Sequence, residues 1–119
     1  MNVLLVDDEP TIRKLITSML RSSGFHVLDA GNGLDAFALS QENPVELLVT
    51  DVVMEGMDGF SLADALIAQR PHLPIVFISG HPLDFEKVRR RYLRCAFLAK
   101  PFQKNELLNL IGELCKVAA

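Results

Sequence analysis

Five times along the chain a short apolar run gives way to an amphipathic stretch, and no other feature restricts the possible folds so strongly. Val3-Leu4-Leu5-Val6 reads as a buried strand, and Pro10 then stands where the first turn of a helix accepts proline. Ile12, Leu15, Ile16, Met19 and Leu20 recur at helical spacing until Gly24 supplies a stop. His26 to Ala30 is a weaker strand, its Val27 and Leu28 flanked by polar residues as an edge position permits, and Gly31-Asn32-Gly33 turns it into a helix through Leu34, Phe37 and Ala38. Glu46 to Thr50 forms the third strand, followed by a loop with Gly56 and Gly59 and a helix carrying Phe60, Ala63, Leu66 and Ile67 on one face. Ile75 to Ile78 is the fourth strand, broken by Ser79-Gly80-His81-Pro82. Phe85, Val88 and Tyr92 then mark a fourth helix and its inward-facing stripe. Ala96 to Ala99 is the fifth strand, and Leu107, Leu108, Ile111, Leu114 and Cys115 line a last helix expected to run nearly to Ala119.

These five strand-helix units account for all 119 residues, so residues 1–119 are expected to form one domain without a linker or repeat of longer period. Parallel strands joined by right-handed crossovers give a single doubly wound five-stranded α/β sheet. For five strands the common order is 2-1-3-4-5, the flavodoxin-like (βα)5 arrangement. That order puts strand two at an edge and makes the carboxyl ends of strands one and three the place where winding reverses. Ligands of such sheets bind there.

Composition narrows the class further. Half the residues are apolar and 23% charged, which excludes disorder and supplies a core without disulfide or metal staples. Cys95 and Cys115 lack the spacing of a zinc or redox pair and read as free thiols of a reducing cytosol. The longest apolar run, Cys95 to Ala99, is five residues, against the ~20 needed to cross a bilayer. Asp7 and Asp8 interrupt the first apolar run too early for a signal peptide. The net charge of −3 divides unevenly, with −8 up to Gln69 and +5 from Arg70 onward. Neither half interleaves bases with aromatics, so direct nucleic-acid binding is not expected.

The polar residues that interrupt the strands fall on one edge of the expected sheet. Asp7 and Asp8 follow strand one, Asp51 ends strand three, Ser79 ends strand four and Lys100 ends strand five. Taken singly, such an acid caps a helix, a Ser-Gly makes a turn and a lysine before proline is solvated. Together they gather charge at a cost: each pair of like charges ~4 Å apart repels by ~1 to 4 kcal/mol at effective dielectrics of 80 to 20. A lysine and a bound cation would offset it. Mg²⁺ suits a few carboxylate oxygens that meet a phosphoryl group.

Asp7-Asp8, Asp51-Val52-Val53-Met54-Glu55-Gly56-Met57-Asp58-Gly59, Ser79-Gly80 and Lys100-Pro101-Phe102, in that order, resemble the receiver domain of two-component response regulators over the whole chain. The resemblance implies a phosphoacceptor signalling domain, not an enzyme acting on a separate substrate, that assists its own phosphorylation and dephosphorylation. Asp51 would take a phosphoryl group from a histidine kinase or histidine phosphotransfer protein. Asp8, Asp51 and the Val53 backbone carbonyl would hold Mg²⁺ (or Mn²⁺), with Asp7 joining through water. Lys100 and Ser79 would meet phosphoryl oxygens, Ser79 and Phe97 would form the switch, and the Lys100-Pro101 peptide would be cis. It further implies a cytoplasmic, non-membrane protein whose helix 4/strand 5/helix 5 surface changes and can pair two copies. The chain would be a stand-alone regulator or part of a larger chain such as a hybrid kinase.

Several residues depart from the pattern. Glu55 stands where the family usually has proline, and Leu93 where it often has glycine, which leaves open where the fourth helix ends. His81 reads as a solvated loop residue, and His26 and His72 offer no ligand geometry. Lys87, Arg91 and Arg94, with Arg90 beside them, fall at spacings that predict a basic stripe on the fourth helix and hence a partner surface. Two other readings share part of the chemistry. An aspartyl-nucleophile phosphatase of the haloacid dehalogenase type would need an acid where Val53 stands. A flavodoxin-like electron carrier would need a phosphate loop where Asp7-Asp8-Glu9-Pro10 would repel an anion. A degenerate receiver that only binds proteins is the remaining alternative.

Overall fold

Strands built on continuous apolar runs need cover on both faces, and the chain supplies it by sending helices to both sides of the sheet. A computed structural model describes residues 1–80 and 85–115, apart from the side chain of Lys87. The elements alternate throughout: β1 (Asn2–Val6), α1 (Pro10–Arg21), β2 (His26–Ala30), α2 (Gly33–Glu42), β3 (Leu47–Asp51), α3 (Gly59–Ile67), β4 (Ile75–Ser79), α4 (Phe85–Arg89), β5 (Cys95–Ala99) and α5 (Lys104–Leu114). All five strands are parallel and lie in the expected order β2-β1-β3-β4-β5. Val3 of β1 lies opposite Val27 of β2 and Leu47 of β3.

Strand alternation sorts the core into two layers. Leu4, Val6, Leu48, Ile75 and Phe77 face one layer, where α2 and α3 contribute Ala36, Leu62, Ala63 and Leu66. Val3, Leu5, Leu47, Val49, Val76 and Ile78 face the other, closed by Ile16 and Leu20 of α1 and Leu107 and Ile111 of α5. β3 and β4 are buried throughout and β1 from Val3 onward, whereas β2 and β5 are partly exposed, as edge strands are. Local chemistry sets the helix starts. Pro10 opens α1, the Asn32 side chain accepts from the Asp35 N–H at 2.8 Å, Asp58 accepts from Ser61 at 2.8 Å, and Glu106 accepts from the Gln103 N–H at 2.9 Å.

The apolar runs fall one residue short of two strands at their carboxyl ends. Pairing continues through Asp51, which lies opposite Ile78, and through Ser79, which lies opposite Ala99. Both polar residues therefore occupy the last position of a buried strand.

The fourth helix differs more from expectation. It ends at Arg89, and the following turn is tightened by Arg91 N–H to Val88 and Tyr92 N–H to Arg89 carbonyl bonds of 3.0 and 3.3 Å. Tyr92 still packs inward beside Phe77, at a ring separation of 5.2 Å, but from the turn and not from a helix. Its hydroxyl donates to Asp64 at 2.8 Å, and this tie to α3 replaces another helical turn. Phe85, expected to face inward, is 40% exposed and lies over Phe97. Leu93 is exposed and α4 ends earlier, not later, than the apolar spacing suggests. The last helix is described to Leu114; residues 116–119 lie outside the described residues.

Gly59 joins this frame to the strand ends. It opens α3, its N–H donates to the Val52 carbonyl at 2.9 Å, and a Cβ there would collide with the Asp51 carbonyl oxygen. Because the obstacle is backbone, Gly59→Ala should destabilise the protein by about 1–3 kcal/mol. Urea unfolding should show the loss as a lower midpoint at unchanged slope.

Candidate functional site

Strand ends deliver the polar residues to one edge. Asp7 leaves β1, Asp51 and Ser79 close β3 and β4, and Lys100 follows β5. Asp7 is 1% exposed and Asp51 9%, while Asp8 projects into solvent. One oxygen from each of the three carboxylates lies within 4.8 Å of the others. The Lys100 ammonium donates to Asp51 at 3.1 Å and to Asp7 at 3.3 Å, across the sheet from its own strand. Its backbone N–H donates to the Ser79 carbonyl at 2.8 Å, so the exit of β5 is tied to the end of β4. The Lys100-Pro101 peptide is cis, as the resemblance implied.

Asp7 and Asp51 are not merely clustered; both are held. Asp7 donates its N–H to the Ala30 carbonyl at 3.2 Å, and its carboxylate accepts from the Glu9 N–H at 2.9 Å. The Asp51 neighbour Val52 donates to the Ile78 carbonyl at 3.0 Å, continuing the β3–β4 ladder past the carboxylate. Burial pushes the Asp51 carboxyl above its ordinary range; the Lys100 bond and charge oppose the rise and Asp7 adds to it. Burial also works against the Lys100 charge, but the Asp51 hydrogen bond and the Asp7 charge outweigh it, and its pKa is raised. Three hard oxygen donors with one ammonium among them fit a divalent cation such as Mg²⁺.

The remaining expected residues divide. Ser79 is 5% exposed at the end of β4, and Phe97 points inward, stacked on Phe77 at 5.2 Å and 24°. Val53 is exposed in the loop after β3, where Glu55 also sits, and the Asp58 carboxylate caps α3. His26 and His72 are exposed at the amino-terminal side of β2 and β4, away from the acids. His81 lies outside the described residues.

The basic stripe expected on α4 does not form. Arg90, Arg91 and Arg94 all follow the helix: Arg91 pairs with Asp64 of α3 and lies over the Tyr92 ring, and Arg94 donates to the Leu114 carbonyl. The side chain of Lys87 is outside the described residues. Spacing alone could not anticipate this, because an acid on α3 supplies the partner that ends the helical arrangement. Sequence reasoning also passed over Arg13, whose guanidinium reaches the Asp7 carbonyl; a lone arginine in the first turns of a helix carries no signal of its own.

The profile of the response regulator receiver domain matches residues 3–112. The chain belongs to that family. This receiver domain is 35% identical over 115 residues to the response regulator receiver protein CpdR of Brucella abortus, covering 94% of each chain. It is 31% identical over 116 residues to the probable transcriptional regulator ycf29 of Porphyra purpurea, of which it spans 56%. Its backbone matches chemotaxis protein CheY4 of Vibrio cholerae with a TM-score of 0.88 at 28% identity, covering 95% of this chain and 97% of that one. It is therefore a module of two-component signalling, a family in which phosphorylation and magnesium are general features. Among the described residues no helix is long and apolar enough to cross a membrane.

Because folding disfavours ionised Asp51, its contribution to stability is fully present below the unfolded pKa and is lost as pH rises through the raised folded value. Asp51→Asn should thus raise the thermal midpoint of the metal-free receiver at pH 7. That advantage should shrink as pH falls toward 3.8, the ordinary value, in melts recorded with EDTA.

Proposed function

We propose that Asp51 accepts a phosphoryl group from the phosphohistidine of a histidine kinase or histidine phosphotransfer protein, and that residues 1–119 act as one cytoplasmic receiver. The observation that supports this best is the Lys100 ammonium bridging Asp51 and Asp7 inside a cluster of three carboxylates. An Asp51 carboxylate oxygen forms a bond to phosphorus while the phosphorus–nitrogen bond breaks. The imidazole nitrogen departs with the electron pair and takes up a proton, leaving an acyl phosphate on Asp51. Asp8, Asp51 and the Val53 carbonyl would hold Mg²⁺, with Asp7 acting through water; the ion supplies neutralising charge to the transferring group. Lys100 orients a phosphoryl oxygen and the Ser79 hydroxyl donates to another. The same groups position a water for later loss of the phosphate, so the domain assists both directions of its own modification.

Phosphorylation must then act as a population shift, since it adds only ~1.5 to 2 negative charges. Hydrogen bonds to charged groups contribute ~1.5–3 kcal/mol each, so two of them approach the ~5.5 kcal/mol that reverses a 1:99 equilibrium. Phe97 lies between Phe77 and Phe85, at 5.2 and 4.4 Å, so a movement of β5 toward the site must displace Phe85 and α4. That makes the α4–β5–α5 face the surface that meets a partner or a second copy.

Acetyl phosphate with Mg²⁺ should add one phosphoryl group by intact mass, and Asp51→Asn or excess EDTA should abolish it. Persistent labelling of that variant would remove Asp51 from the mechanism. Ser79→Ala and Lys100→Ala should still accept phosphate but fail to move the amide NMR signals of α4 and β5. Spectra matching those of the phosphorylated wild type would refute the coupling.

A further inference from the structure

Arg13 projects from the first turns of α1 to the point where β1 and β2 end. Its Nη1 donates to the Asp7 backbone carbonyl at 2.9 Å, and its Nε lies 3.3 Å from the Asp29 carboxylate on β2. The guanidinium rests against Gly31, where a Cβ would stand 2.6 Å from Nη1. One side chain thus joins the end of β1, the end of β2 and the turn after it. Only a rigid planar fork does this; a lysine ammonium offers a point charge and no fixed divergence of donors.

The Asp7 carbonyl is the informative contact. Its oxygen and the Asp8 nitrogen belong to one planar peptide unit, so fixing the oxygen fixes the direction in which the chain enters Asp8. Asp8 is the exposed member of the acid cluster, and among the described residues the hydrogen-bond donor to its carboxylate is the Glu55 N–H at 3.5 Å. We propose that Arg13 is a positioning residue for the divalent cation, holding the Asp7–Asp8 peptide so that both carboxylates face Asp51. This rests on the reading of Asp7, Asp8 and Asp51 as the cation site. Asp29 has the subordinate role of orienting the guanidinium from the edge strand.

Isothermal titration calorimetry of Mg²⁺ into the metal-free chain, well below the unfolding midpoint, tests the assignment without recourse to phosphorylation. Arg13→Met should weaken Mg²⁺ binding about tenfold, at the lower end of what groups supporting metal ligands contribute. Arg13→Lys should not restore it. Gly31→Ala keeps the charge, and Gly31 does not have a positive φ, yet its methyl displaces Nη1, so it should also weaken binding severalfold. Asp8→Asn serves as the reference and should abolish the calorimetric signal. Should Arg13→Met and Gly31→Ala bind Mg²⁺ within about twofold of wild type while Asp8→Asn does not bind, Arg13 is only a tie between α1 and β2, even if the melting temperature falls. If Asp8→Asn binds normally, the cation site itself is misplaced and the role of Arg13 falls with it.

Discussion

The reversal of winding between β1 and β3 is the constraint on which the rest depends. β1 pairs with β2 on one side and β3 on the other, and the helices that follow β1 and β3, α1 and α3, pack in opposite layers. Among the described residues no helix crosses the carboxyl ends of β1 and β3, which leaves those ends open at the edge of a sheet covered on both faces. Asp7 and Asp51 stand there because the apolar ladder has ended on one strand and ends with that residue on the other. An acid one turn deeper would be buried without relief; one turn further out would be solvated.

Gathering the acids leaves charge that the protein alone does not balance. Lys100 reaches Asp51 and Asp7 from the far side of β4, and its raised pKa records how firmly they hold it. Yet the Asp51 carboxyl remains pushed upward by burial. A site left partly unsatisfied in this way gains more from a cation and a phosphoryl group than a fully neutralised one would. The same tension explains why backbone contacts around Asp7 are so complete, with its N–H, carbonyl and carboxylate all paired.

On the other side of β4 the structure becomes aromatic. Phe77 is fully buried and touches the rings of Phe60, Tyr92 and Phe97, while Phe97 carries Phe85 of α4. Ser79 lies two residues beyond Phe77 on the same strand. Displacement at the strand end therefore acts on a packed row of rings that has few alternative arrangements, and such packing favours discrete states over gradual deformation. The Tyr92 hydroxyl and Arg91 both engage Asp64, which anchors the turn after α4 to α3. Burial and the Asp64 bond raise the Tyr92 pKa, so that hydroxyl remains a donor throughout the physiological range.

Much of this was legible in the sequence because it depends on local periodicity. The continuous apolar runs and the period-3.6 stretches set the ten elements, and chain length with crossover handedness left one common strand order. Asp7, Asp8, Asp51, Ser79 and Lys100 were visible as polar residues ending apolar runs. The end of α4 was not, because Phe85, Val88 and Tyr92 satisfy helical spacing while the hydroxyl of Tyr92 is tied to Asp64 of another helix from the turn that follows Arg89. Nor was Arg13, since its role requires β1 and β2 to finish side by side within reach of α1. A sequence determines which residues are apolar, which can turn and which carry charge; only the folded chain decides which charges become neighbours. Pairwise electrostatics and side-chain hydrogen bonds act over a few ångströms in space, whatever their separation along the chain.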